Sequence, residues 1–283
     1  MEVTLIGTGL MGFPMTKALL EASYDVTVYN RTIEKAAPLA EAGARTTNSP
    51  GEAVEAGECI ILMVTDAEAI EEVLFSNDMI PLTGKTVIQM GTIAPDESRD
   101  FAKRIEKVGG DYLEAPVLGN KSDAAKGELF VMVGGTEEQF NRWNILLKTF
   151  GSLHYIGEVG TAAALKLALN QFIASLTATF GLSLRLIQKN GVDLDVFMDI
   201  LRDSALYSPQ YDKKLPRILQ SDYSDPNFPT QHLLKDVDLM IQAANDADLE
   251  DAAIKGIRQV IRNAIDKGFV ETDYSSLVEG ITK

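Results

Sequence analysis

The chain has 283 residues, 46% of them apolar and 24% charged. This is the balance of a folded globular protein of about two domains, and it excludes a disordered or collagen-like chain. A formal net charge of −15 disfavours binding to nucleic acid or to an anionic membrane, while one cysteine (Cys59) and two histidines (His154 and His232) exclude an intrachain disulfide and leave no metal site to expect.

The N-terminus enters an apolar run at once, without a basic leader, which reads as a cytoplasmic protein. Val3–Ile6 is a β-branched run that predicts a strand, followed by a helix over Met11–Glu21. Between them stands Gly7-Thr8-Gly9-Leu10-Met11-Gly12, a G-x-G-x-x-G. Gly7 permits a tight turn, Gly9 lets backbone approach a pyrophosphate, and Gly12 lets helix and strand pack closely. The free N–H groups of the helix start would then face phosphate. An ordinary tight turn is the bland alternative, but the position after a first strand favours a dinucleotide.

Val26–Tyr29 predicts a second strand and Ile33–Glu41 a helix. A carboxylate at that strand's end would accept bonds from a ribose 2′-hydroxyl; here the residues are Asn30-Arg31-Thr32, with Lys35 one turn on. Nothing there repels a 2′-phosphate, and Arg31 can grip one by a charge-assisted fork. NADPH is therefore expected over NADH; the alternative is a solvated arginine.

Cys59–Val64, Thr86–Gln89, Asp111–Glu114 and Phe130–Gly134 predict further strands, with helical patterns between them. Strands alternating with helices imply a parallel sheet, and uninterrupted apolar runs imply strands covered on both faces. In such sheets the strand carboxyl ends face the ligand crevice, so Val64, Thr65 and Thr92 are cofactor-side candidates. Cys59, inside a strand, is an inert core thiol, and His154 is structural.

After residue 160 strand patterns disappear. Thr161–Lys189 reads as one long helix, uncharged from Leu167 to Leu184 but interrupted by polar residues, and is expected to be buried in protein rather than to span a membrane. Asp193–Arg202, Leu233–Ala247 and Asp251–Lys267 are further helices, Tyr223–Pro229 a loop, and Lys213-Lys214 a solvated face. The fold class is α/β: a doubly wound Rossmann domain over residues 1–160, then an all-α substrate and dimerisation domain over 161–283. Lys166 and Asn170 are four apart and share a helix face. The lysine could snorkel and the asparagine bond a neighbouring helix, but both are polar in an apolar run.

With these stretches in hand, the chain resembles the β-hydroxyacid dehydrogenase family, which includes 3-hydroxyisobutyrate dehydrogenases and glyoxylate/succinic semialdehyde reductases. The matching residues are Leu5–Met15, Glu114-Ala115-Pro116-Val117-Leu118-Gly119-Asn120, Lys166 with Asn170, and Phe228 followed by Lys235-Asp236. The resemblance implies that Lys166 is the catalytic general acid and that Asn170 binds substrate. Leu118, Gly119 and Asn120 would hold the substrate carboxylate through backbone N–H groups near Gly119 and Asn120. Phe228 would line the substrate, while Lys235 and Thr92 would lie toward the cofactor. Two positions depart from the family pattern: Leu118 and Gly91 stand where serine is frequent.

The implied reaction is NADPH-dependent reduction of a short aldehyde or keto acid, such as glyoxylate or succinic semialdehyde, by hydride transfer. For Lys166 to act as a base in the reverse direction, an amine of ordinary pKa near 10.4 would need burial or a nearby cation. The alternatives are a 3-hydroxyisobutyrate-type dehydrogenase and a non-catalytic dinucleotide-binding scaffold. Imine reduction is disfavoured by Lys166, which imine-reducing relatives replace. The expected partners are a small carboxylate-bearing aldehyde or hydroxy acid and further copies of the chain, as a homodimer or homotetramer.

Overall fold

The computed structural model describes residues 1–75 and 81–282. It divides into two units, Met1–Lys166 and Leu167–Lys283.

The first unit is an α/β layer structure. Its strands are β1 (Glu2–Ile6), β2 (Asp25–Tyr29), β3 (Arg45–Thr47), β4 (Cys59–Leu62), β5 (Thr86–Gln89), β6 (Asp111–Glu114), β7 (Val117–Leu118), β8 (Leu129–Gly134) and β9 (Gly151–Gly157). They form one sheet in the order β3-β2-β1-β4-β5-β6-β8-β7, with β9 pairing with β8. The first six run parallel, in the order of a doubly wound dinucleotide fold. β8 is antiparallel to β6 and β7.

Side chains alternate across a strand, and both faces here are buried. Cys59 and Ile61 of β4 enter one core with Val3, Leu5 and Val28, whereas Ile60 and Leu62 enter the other with Ile6, Ile70 and Val87. This is why the strand reads as a continuous apolar run. The register sets Ile6 beside Tyr29 and Leu62, Leu62 beside Gln89, and Gln89 beside Glu114. The chain therefore leaves β1, β2, β4, β5 and β6 at one edge, and the segments after residues 6, 29, 62, 89 and 114 gather there.

Three of these strands lack a sequence signal. β3 has three residues, largely exposed; β7 has two; β9 alternates irregularly between exposed and half-buried positions. The helix expected over Ile33–Glu41 is broken into a 3-10 turn, Ile33–Lys35, and a short helix, Ala37–Glu41. Pro38 lies inside it and has no N–H to continue the ladder back to Glu34.

The second unit is helical. The helix Thr161–Lys189, bounded as its periodicity predicts, opens in the first unit and continues into the second. Leu194–Asp203, Pro209–Gln220, Thr230–Asp246 and Ala252–Asp266 follow, with a 3-10 segment at Tyr274–Gly280. Their core gathers Phe180, Leu184, Met198, Leu233, Ile261 and Leu277 among others. The helix Pro209–Gln220 was hidden by Pro216 inside it. It also corrects the reading of Lys213-Lys214 as a solvated face: Lys213 is exposed, but Lys214 is buried against Asp273 at 2.7 Å. The long helix is apolar and long enough to cross a membrane by length and composition alone, and 39% of its most apolar window is buried inside the protein.

The division after Lys166 falls six residues later than the sequence boundary at 160/161. The first turn of the long helix is tied to the sheet, because Glu114 at the end of β6 accepts hydrogen bonds from its amides.

Candidate active site

The glycine turn follows directly from β1. Gly7 has a φ of +98°, and a Cβ there would overlap the Met63 carbonyl. A Cβ on Gly12 would overlap the Gly7 carbonyl, so these two glycines lock against each other. A Cβ on Gly9 would meet nothing within 4 Å. Two of the three glycines are thus demanded by packing, and the third faces open space where a ligand backbone could approach.

Asn30, expected at the cofactor, first serves the turn itself. Its Oδ1 accepts from the Thr8 N–H at 2.9 Å and its Nδ2 donates to the Thr32 carbonyl at 2.8 Å. The Thr8 hydroxyl is buried without a hydrogen-bond partner, a group that normally has one. Beside it lies a cavity of about 510 Å³, lined by Thr8, Gly9, Leu10, Phe13, Pro14, Lys35 and Lys121. That volume is within the range of small-ligand sites. Open space over Gly9, an orphan hydroxyl and two lysines fit a phosphorylated nucleotide.

Met11 is half-buried, and Arg31, Thr32 and Lys35 are exposed. Arg31 faces Glu72 at 3.5 Å in an exposed pair, which water and salt weaken readily. Lys121 was missed by sequence reading; it is the first residue of the helix Lys121–Lys126, and its only signal was its place directly after Asn120.

At the neighbouring strand ends Val64 and Thr92 are half-buried and Thr65 is exposed. A Cβ on Gly91 would overlap the Val64 carbonyl, so the missing serine there has a steric reason. Leu118 ends β7, half-buried, opposite Phe130. Gly119 has a φ of +144°. Asn120 caps the helix Lys121–Lys126: its side chain accepts from the amides of Ser122 and Asp123, and its own N–H donates to Asp123 at 2.8 Å. The Asn120 N–H, one of those expected near the substrate carboxylate, is donated to that cap.

Lys166, in the first unit, is half-buried. Within the second unit Asn170 is buried, and its Nδ2 donates to Asp236 Oδ2 at 2.6 Å. Lys235 Nζ lies 2.9 Å from the other carboxylate oxygen of Asp236. A carboxylate only accepts, so this contact fixes which way the Asn170 amide points. One N–H and Oδ1 remain for a ligand, and Oδ1 is buried without a partner. Phe228, half-buried, packs on Tyr274 at 5.9 Å and His232 at 6.4 Å between ring centroids. Elsewhere, Cys59 is fully buried and burial pushes its thiol far up, leaving it inert.

Residues 2–160 match the NAD-binding domain of 6-phosphogluconate dehydrogenase, and residues 160–281 match the NAD-binding region of NADP-dependent 3-hydroxyisobutyrate dehydrogenase. The chain belongs to the β-hydroxyacid dehydrogenase family. Glyoxylate/succinic semialdehyde reductase 1 of Arabidopsis thaliana is 30% identical over 285 residues, covering 99% of this chain and 98% of that protein. The cytokine-like nuclear factor N-PAC of Drosophila melanogaster is 28% identical over 96% of this chain, but only 46% of its own length is covered. A 3-hydroxyisobutyrate dehydrogenase of Mycobacterium tuberculosis, solved with L-serine, shares the fold at a TM-score of 0.88 and 21% identity, over 100% of this chain and 99% of that one. Family membership and fold make this β-hydroxyacid dehydrogenase an NAD(P)-dependent oxidoreductase with a pyridine-nucleotide domain.

Proposed function

We propose that this dehydrogenase reduces short carboxylate-bearing aldehydes, such as glyoxylate or succinic semialdehyde, with NADPH. The observation that carries the reading is Lys166 four residues before Asn170, whose amide is fixed by the buried Asp236. The Arabidopsis reductase at 30% identity supports the substrate class.

A bound nicotinamide would supply the hydride. Lys166 supplies the proton: its ammonium donates from Nζ to the carbonyl oxygen as the alcohol forms, contributing ~10²–10⁴-fold. Asn170 orients the carbonyl with its remaining N–H. The Gly119 turn holds the substrate carboxylate, and Phe228 gives an apolar wall. Gly7, Gly9 and Gly12 with Thr8, Leu10 and Met11 cradle the pyrophosphate, while Arg31, Thr32 and Lys35 favour a 2′-phosphate. Lys121, on the same cavity, adds a cation for phosphate.

Lys166→Ala tests the reading. NADPH affinity should stay within about twofold while kcat/KM for the oxo acid falls ~10²–10⁴-fold. Unchanged turnover removes Lys166 from the mechanism. A panel of semialdehydes and 3-hydroxy acids, run with both nucleotides, separates this reductase from a 3-hydroxyisobutyrate-type dehydrogenase; strong NAD preference in oxidation would favour the latter. A second reading is a non-catalytic nucleotide-binding scaffold, since N-PAC, similar over 96% of this chain, is named a nuclear factor rather than a reductase. Tight NADPH binding without turnover of any substrate in the panel would select it.

A further inference from the structure

We propose that Glu114 is a positioning residue for Lys166: it anchors the start of the lysine-bearing helix to the end of β6. The proposal deepens the reductase reading and rests on Lys166 as its proton donor.

Glu114 is 1% exposed, the last residue of β6. Its Oε1 accepts from the backbone N–H groups of Gly160 at 2.8 Å, Ala162 at 2.8 Å and Ala163 at 3.1 Å. Its Oε2 accepts from the Ser98 hydroxyl. Tyr112 lies 2.8 Å from that hydroxyl. Ser98 has one proton and gives it to the carboxylate, so Tyr112 donates to Ser98. Gly134 leaves room for the group, since a Cβ there would meet the Glu114 carboxylate.

A helix start leaves four N–H groups without partners inside the helix. Most helices cap them with the preceding side chain, but here that residue is Gly160, and the Thr161 hydroxyl turns away to donate to Glu158. The cap comes instead from a carboxylate 46 residues upstream, whose charge also suits the positive end of the helix dipole. Burying a carboxylate is costly, and a serine or aspartate before the helix would satisfy the same amides more cheaply. Such a local cap would not tie the helix to the sheet. Glu114 does, and it does so at the strand end that leads into the Leu118–Asn120 turn. Lys166 stands five residues beyond Thr161, about 7.5 Å along a rigid axis. Holding the first turn at three points fixes the rise and rotation of the helix, and with them the direction of Lys166. A misplacement of about 1 Å can cost ~100-fold in rate.

Glu114→Gln keeps the shape and removes the anion. It should lower kcat for oxo-acid reduction at least ~10-fold, with KM and NADPH affinity within about twofold. Amide hydrogen exchange at Gly160, Ala162 and Ala163 should quicken at least ~10-fold in the folded variant. Thr136→Ala, which removes the N-cap of the helix Glu137–Leu147 in the same unit, should lower Tm without changing kcat. If Glu114→Gln does not fold, Glu114→Asp, which withdraws the charge by one methylene, carries the same comparison. Wild-type kcat in the glutamate variant, or kcat losses that simply track Tm in both variants, overturns the proposal. Unchanged amide exchange overturns the anchor whatever the reaction. Fast exchange in the variant together with a wild-type enzyme inert toward oxo acids would sink the reductase reading and leave the anchor standing.

Discussion

Asp236 and Asp273 are both buried carboxylates of the helical unit, each held by a lysine and by one neutral donor or more. Burial alone would raise the Asp273 carboxyl, but the Lys214 ammonium and hydrogen bonds from Ser275 outweigh it and hold it below its ordinary 3.8. A carboxyl lowered by folding lends stability above that ordinary value and loses it as pH falls through the folded one. Lys214→Met strands the anion, so it should destabilise the protein by about 3–5 kcal/mol in urea at pH 7. That deficit should shrink in acid, where Asp273 is protonated in both proteins. At Asp236, replacement by Asn frees the Asn170 amide to turn over; kcat/KM for the oxo acid should fall at least ~10-fold with NADPH affinity intact, measured by steady-state kinetics and fluorescence titration. Lysines are mostly exposed, so Lys214 read as solvated; its partner lies 59 residues away and no spacing rule could join them. Asn170 stood out because it interrupts an apolar helix, yet the acceptor that fixes its amide, Asp236, could be linked to it only by the fold.

Among the elements, the parallel strands β1, β2, β4, β5 and β6 were legible because their apolar positions are buried, whereas the short, exposed β3 was not. β9 was not, since its half-exposed positions carry no period. The helix Pro209–Gln220 was not anticipated, and it carries Pro216 inside it, a residue that lacks the N–H a helix interior uses. The long helix was bounded correctly by its apolar length, while the partner of its first turn, Glu114, was visible only as a motif letter. Phe172, Leu182 and Leu186 on this helix are 63%, 58% and 61% exposed. Their spacing sets them within one arc of about 80° at 100° per residue. Val196 and Ile200, four apart on the next helix, are exposed too. We propose that Phe172, Leu182 and Leu186 are covered by a second copy of the chain, the homo-oligomer expected from the sequence. Leu186→Glu combined with Ile200→Glu should therefore halve the mass found by sedimentation, and a wild-type monomer would refute the assembly.

For the molecule as a whole, a net charge of −15 sets a repulsive background for any anionic nucleotide, and Lys35 and Lys121 counter it only locally at the cavity. Binding must still favour the folded state. At a hundred times Kd a ligand adds about 2.7 kcal/mol, or roughly 4–5 °C in Tm for a chain of this size. NADPH should produce that shift in calorimetry, and NADH at equal concentration a smaller one. Equal shifts would remove the 2′-phosphate preference. The two-part organisation was legible from the loss of strand patterns after residue 160. The six-residue difference in the boundary arises because a hydrogen-bonded helix start belongs to the sheet that holds it.

The double duty of Asn30 has a consequence for coenzyme engineering. An aspartate in its place would still accept the Thr8 amide, and the Thr32 carbonyl it abandons keeps the Lys35 N–H at 3.1 Å. The new negative charge would sit where a ribose is read. Asn30→Asp is thus the exchange expected to move the proposed NADPH preference toward NADH, whereas any library that randomises the interlocked Gly7 and Gly12 would spend most of its members on chains that cannot close the turn.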